Sequence, residues 1–235
     1  MGSIVTVASA SKRWVEIAER TYIYEYSINF MNSAQFFPNF ATLQKDAAFM
    51  LESGVTSYTY TCGDGHEGSF NELRNYLLAK LYWDTECDVE YHMMDFLRGY
   101  YGEAAAEYLK EYIDFVTAKS ASLDHAFDFD WHYQAGWFDP ASVRKIDAMW
   151  EDALAAGGTP EQKFRVEREE TGWRYYKANL YMGEFSLLNP LRPQENEKLY
   201  DDFLSHGVTR VTALAGPIPP KEDVDFVWKR PFNWR

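Results

Sequence analysis

Only two stretches of this 235-residue chain carry the period of a β-strand, and both lie in its first third. In 21–30, Tyr22, Tyr24, Tyr26, Ile28 and Phe30 alternate with Ile23, Glu25, Ser27 and Asn29. In 55–62, Val, Thr and Tyr dominate, residues that suit a pleated surface. A helix-period segment with Leu43, Ala47 and Met50 separates the two, and Asn39 is placed to cap it. Strands joined through a helix run parallel with a right-handed crossover. The loops that follow the two strands therefore open at one end of the sheet. Two parallel strands cannot cover both of their own faces. The chain is expected either to hold the end of a larger barrel or to carry two strands as an addition to a helical domain. With the tyrosine face packed on helices, the opposite face, Glu25, Ser27 and Asn29, would point into a barrel.

The rest reads as helix. Ser69-Phe70-Asn71-Glu72 has the form of a capping box and opens a segment through Leu73, Leu77 and Leu81. Residues 88–98 and 103–118 are helical, with Gly99 and Gly102 expected to interrupt them. Asp139-Pro140 and Thr159-Pro160 each pair a capping side chain with proline at the first helical position, and Gln162 completes a capping box with Thr159. Gly157-Gly158 joins these two helices into a hairpin. A last helix covers 195–205, and a proline-rich tail follows. The fold class is mainly α with a small parallel βα portion. The organisation expected is βα units and their following helices over 1–118, a helical region over 119–206 and an irregular tail over 207–235.

Charge narrows the functions. Lys and Arg number 23 against 36 Asp and Glu, a net charge of −13. Such a field repels phosphate backbones and anionic lipid, so neither nucleic acid nor a membrane surface is an expected partner. Residues 1–5 show no basic region leading into an apolar core, so no signal peptide is expected. Two cysteines, Cys62 and Cys87, make no disulfide framework. Aromatic residues reach 17% of the chain, which means either a core built from rings or a ring-lined pocket for a flat or sugar ligand.

Three groups of residues carry possible chemistry. Gly63-Asp64-Gly65-His66-Glu67-Gly68 has the spacing of a dinucleotide-binding turn after a strand and before a helix. No second parallel strand follows the helix, and Asp64 and Glu67 would repel a pyrophosphate. A glycine-rich turn is the better reading, and no cofactor is expected. Asp64, His66 and Glu67 also bring two carboxylates and an imidazole to one loop, and paired carboxylates are the usual equipment for glycoside cleavage. Glu25, on the polar face of its strand, is a third carboxylate, and if buried it needs a partner. Asp88 and His92 stand four apart on a helix, but without a third ligand no metal site is expected.

Four segments resemble one family: YEYSINF at 24–30, FFPNF at 36–40, LRNYLLAKLYWD at 73–84 and DFLRGYYG at 95–102. Together they resemble the C-terminal part of a large bacterial domain-of-unknown-function family, whose proteins resemble α-glucuronidases and other glycoside hydrolases with a (β/α)8 barrel. The resemblance is densest over residues 20–115. It implies that the two strands are the terminal βα units of such a barrel, followed by a C-terminal helical region, with the other strands preceding residue 1. Near the end of the second strand, where the resemblance leads one to expect an acid or amide, this chain has Thr61-Cys62.

The expected function is that of a carbohydrate-active, glycoside-hydrolase-like protein lacking most of the barrel. Glu25, Asp64 and Glu67 are the candidate catalytic carboxylates. Asn29, Phe36, Phe37 and His66 are the candidate sugar contacts, with a phenylalanine as the stacking ring. The alternative is a non-catalytic helical interaction or assembly module with a vestigial βα portion. Either way, apolar surface left beside the strands would drive self-association or association with the missing barrel portion.

Overall fold

The computed structural model describes residues 7–29, 32–55, 57–61, 68–122, 138–211 and 216–226. Helices dominate. In chain order the elements are α1 (Val7–Ile17), β1 (Tyr22–Tyr26), α2 (Leu43–Glu52), β2 (Ser57–Thr61), α3 (Asn71–Trp83), α4 (Val89–Tyr101), α5 (Glu103–Ala121), α6 (Pro140–Ala155), α7 (Pro160–Leu180) and α8 (Arg192–Ser205). Among the described residues the strands β1 and β2 form one two-stranded sheet, not a barrel. They pair in parallel, with Tyr22 opposite Ser57 and Tyr26 opposite Thr61. The parallel βα portion expected from the strand–helix–strand order is therefore present.

The first strand is shorter than its pattern. Alternation stops at Tyr26, because Ser27, Ile28 and Asn29 are buried one after another as the chain turns inward. The sides are also reversed from the expectation. Tyr22 and Tyr24 are 71% and 56% exposed, while Ile23 and Glu25 are half-buried. The rings of Tyr24 and Tyr26 lean edge-on against one another at 5.4 Å. On α1, Trp14 and Ile17 are exposed as well, although their spacing resembles that of a core face.

The helical part closes around two apolar clusters. The larger joins Phe36, Phe40, Phe70, Tyr101, Tyr112 and Trp150 with the leucines of α3, α4 and α5, and so includes residues on both sides of position 118. The smaller holds Ala34, Phe185, Leu199, Phe203, Val208 and Val211. Helix α7 serves both: Val166, Trp173 and Tyr176 enter the first, and Tyr175 and Ala178 the second. No helix among the described residues is long and apolar enough to cross a membrane.

Local signals set most helix ends. Asp139 accepts from the N–H groups of Ala141 and Ser142, and Thr159 and Gln162 form the reciprocal capping box. Gly102, at φ +103°, ends α4 in a conformation that favours glycine. Gly99 does not interrupt that helix but lies inside it. Two expected caps are replaced. Thr42, not Asn39, precedes α2. Helix α3 starts after Phe70 in the left-handed region, at φ +50°, with no side-chain cap from Ser69. In both places a distant partner takes over the expected capping group.

Candidate functional site

The loop between β1 and α2 decides the geometry of the site. Residues 33–38 are buried, unusual for a connecting segment, which ordinarily runs over the surface. Its polar groups must then find partners inside the protein. Asn29 Oδ1 accepts from the Asn32 N–H at 3.1 Å, which closes the first turn. The Ser33 N–H donates to the Val211 carbonyl at 2.9 Å, and the Ser69 N–H to the Ser33 carbonyl at 3.2 Å. Gly172 of α7 lies so close to this loop that a Cβ there would stand 2.5 Å from the Ala34 carbonyl oxygen.

Arg74 anchors the end of the loop. It is fully buried, on a face of α3 otherwise made of Asn71 and four leucines. Its Nε donates to Asn39 Oδ1 at 3.1 Å, Nη1 to the Ser69 carbonyl at 3.2 Å and Nη2 to the Phe37 carbonyl at 3.1 Å. The guanidinium carbon sits 4.7 Å from the centre of the Phe40 ring, a cation–π contact. Asn39 Nδ2 in turn donates to the Ser27 carbonyl at 3.2 Å. This is why Asn39 does not cap α2: its amide is held between Arg74 and the end of β1.

In front of this anchor lies a cleft of about 230 Å³, lined by Glu25, Tyr26, Phe37, Pro38, Asn39, Thr42 and Asp46. It opens where β1 ends and α2 begins. Thr42 precedes the first helical residue, and Asp46 belongs to the first turn of α2, where a carboxylate is favoured by the helix dipole. Thr42 Oγ1 donates to the Asn39 carbonyl at 3.1 Å. The cleft combines two carboxylates, an amide, a threonine and a tyrosine hydroxyl, and an apolar floor from Phe37 and Pro38.

The structure brings two of the sequence candidates, Glu25 and Phe37, to this cleft. Phe36 turns the other way: its ring lies 5.7 Å from Phe40, 5.7 Å from Phe70 and 5.3 Å from Tyr112, deep in the larger core. Asn29 is buried and closes its turn, away from the cleft lining. Asp64, His66 and Glu67 lie outside the described residues, as does Cys62. Asp88 caps α4, accepting from the Tyr91 N–H at 2.9 Å. Among the described residues no group of three potential metal ligands converges. Sequence reasoning missed Thr42, Asp46 and Arg74. The signal for Asp46 was topological, since a helix that follows a strand brings its first turn to the strand's end. The signal for Arg74 was a charged residue in a leucine stripe.

A second polar centre lies behind the site. Glu169 of α7 is buried, and Oε2 accepts from the Phe70 N–H at 2.7 Å and from Ser69 Oγ at 3.3 Å. Tyr101 donates its hydroxyl to Oε1 at 3.0 Å. Glu169 thus takes the Ser69 hydroxyl that was expected to cap α3, together with the N–H of Phe70 just before the helix. Burial pushes its carboxyl up to about 7, against the lowering pull of Arg168 and of its donors. Arg168 pairs with Glu72 at 2.8 Å. The adjoining cavity is only about 10 Å³, room for a water molecule and no larger ligand, so this carboxylate holds structure.

Comparison with known families adds one finding. Residues 4–114 match a domain of unknown function, DUF4838. No curated protein and no solved structure matches the chain. The stretch similar to DUF4838 contains both strands, the buried loop, Arg74 and every residue lining the cleft.

Proposed function

We propose that the chain is a carbohydrate-active, glycoside-hydrolase-like protein, that β1 and β2 are terminal βα units of a (β/α)8 barrel, and that the cleft at the end of β1 contacts the sugar. The observation that carries this reading is the convergence of Glu25 and Phe37, singled out independently from the sequence, on one cleft with Asn39, Thr42 and Asp46. Carboxylates, amides and hydroxyls exchange hydrogen bonds with sugar hydroxyls, while an apolar floor meets the C–H face of a pyranose ring. Barrel enzymes keep their chemistry at the C-terminal ends of strands, which is where this cleft lies relative to β1. Hydrolysis needs one carboxyl to protonate the leaving oxygen and a second to activate water or attack the sugar. Glu25 is the proposed member of that pair in the cleft, and Asp64 and Glu67 are the proposed carboxylates of the loop after β2.

The test is saturation-transfer NMR with neutral oligosaccharides and uronic acids. Transfer to at least one sugar, lost in Glu25→Gln and in Thr42→Val, is the expected result. Absence of transfer to every sugar, or transfer unchanged in both variants, refutes it. A second reading, an interaction module, is favoured by the exposed Trp14, Ile17, Tyr22 and Tyr24. Self-association in sedimentation, abolished by Trp14→Ser with Tyr24→Ser and joined to a failed sugar test, selects that module.

A further inference from the structure

We infer that the three tyrosines of β1 form a stacking track leading into the cleft, and that the ligand is a straight, β-1,4-linked polysaccharide. This rests on the carbohydrate reading above and makes it more specific. Tyr22, Tyr24 and Tyr26 share one side of β1, and their exposure falls from 71% to 56% to 38% toward the end of the strand where the cleft opens. Tyr26 belongs to both features, as the last ring of the row and as a lining residue of the cleft. The row and the cleft are therefore one continuous surface. At about 3.3 Å per residue the row spans roughly 13 Å, the length of two or three linked sugar rings. The cleft alone does not enclose a ligand. Its volume of about 230 Å³ falls below the roughly 300–1,000 Å³ of pockets that surround a whole small molecule. A single sugar unit in it leaves the neighbouring units of a chain outside, beside Tyr24 and Tyr22.

The residue types fit a sugar chain. A tyrosine offers a ring face to the C–H side of a pyranose and a hydroxyl that both donates and accepts. Tyr24 and Tyr26 hold one another edge to face, with ring planes 87° apart, so both rings are placed before a ligand arrives. The strand register sets Tyr22, Tyr24 and Tyr26 opposite Ser57, Thr59 and Thr61, so the neighbouring positions on β2 carry hydroxyl-bearing residues throughout. Shape narrows the linkage. Rings along one extended strand form a nearly straight row. Equatorial β-1,4 linkages give a flat, straight chain with C–H faces, whereas α-1,4 linkages give a coiled one. Stacking on such a chain needs no charge, and a neutral polysaccharide is not repelled by a net charge of −13. Each stacked ring adds about three- to tenfold in affinity.

The experiment titrates the full chain with hexasaccharides and disaccharides of β-1,4-linked glucose, xylose, mannose and N-acetylglucosamine, with maltohexaose and maltose as the coiled pair, and reads Kd by NMR. At least one straight hexasaccharide is expected to bind about tenfold or more tightly than its disaccharide, and maltohexaose less than about twofold more tightly than maltose. In Tyr22→Ala with Tyr24→Ala, with a wild-type circular dichroism spectrum, the advantage of the straight hexasaccharide over its disaccharide is expected to fall below about twofold. Tyr22→Ala alone should reduce that advantage by about three- to tenfold. If sugars bind with no gain from length, or if the gain survives the double substitution, the track is overturned while the carbohydrate reading stands. An equal gain for maltohexaose overturns the choice of a straight chain. If no sugar of the panel binds, the carbohydrate reading falls and the track falls with it.

Discussion

Replacing Glu169 by glutamine keeps the shape of the side chain and removes its charge. In the folded protein burial holds the Glu169 carboxyl at about 7, against an ordinary 4.5. A gap of roughly 2.5 pH units at about 1.4 kcal/mol each amounts to about 3 kcal/mol. The sign is fixed by which state binds the proton more tightly. Because the folded-state value is the raised one, the favourable contribution is complete below about 4.5 and is lost as pH rises through about 7. Above that, a charge is held in a buried site where, among the described residues, the Phe70 N–H, Tyr101, Ser69 and the nearby Arg168 compensate it. Glutamine keeps one acceptor oxygen for the Phe70 N–H, and Tyr101 can turn its hydroxyl to accept from the new amide. The variant therefore gains on the wild type as pH rises. Urea denaturation of both proteins between about pH 5 and pH 8 measures the difference. Glu170, raised by burial to about 7, titrates in the same interval, and His206 is lowered by burial. They are common to both proteins and cancel. A stability difference that stays flat across this interval refutes the reasoning, as does one that grows in the wild type's favour.

Three further substitutions probe the frame around the cleft. Arg74→Met removes the donor that reaches the Ser69 carbonyl and Asn39 Oδ1 and one of the two donors to the Phe37 carbonyl, which keeps the Asn39 N–H, and should cost about 3 kcal/mol in chemical denaturation. Gly172→Ala should destabilise by about 1–3 kcal/mol, although alanine is the better helix former, because its Cβ would meet the Ala34 carbonyl; a gain in melting temperature would show that the loop yields. Thr159→Ala removes one half of a capping box at an exposed helix start and should cost about 1 kcal/mol, read in the same denaturation experiment.

The features legible in the sequence are those whose physics is local. Asp139, and Thr159 with Gln162, cap the helices their spacing announces, because donor and acceptor lie within three residues of each other. The parallel pairing of β1 and β2 followed from connectivity alone. Where a partner came from far along the chain, the local reading failed. Ser69 and Glu72 have the form of a capping box, yet Glu169, about a hundred residues later, takes the Phe70 N–H, and Arg168 takes Glu72. Asn39 looks like a cap, yet Arg74 and the Ser27 carbonyl hold its amide. The site was half legible for the same reason. Phe36 and Phe37 are equivalent in a sequence, and only the packing of Tyr112 and Phe70 decides which ring goes inward. The exposed tyrosines of β1 show the limit of alternation, which separates two faces without saying which is covered.

Helix α7 presents consecutive residues, Tyr175 and Tyr176, to different apolar clusters. A helix exposed to water on one side could survive the loss of a neighbour. Over 171–179 this one has no spare side, since every residue there is buried, and melting either cluster strips that half of the helix of the packing that keeps it formed. The two clusters are therefore coupled thermodynamically through a single element, and the helical part should unfold as one cooperative unit. Calorimetric and van't Hoff enthalpies should then coincide, and amides on α5 and on α8 should exchange with the same limiting free energy.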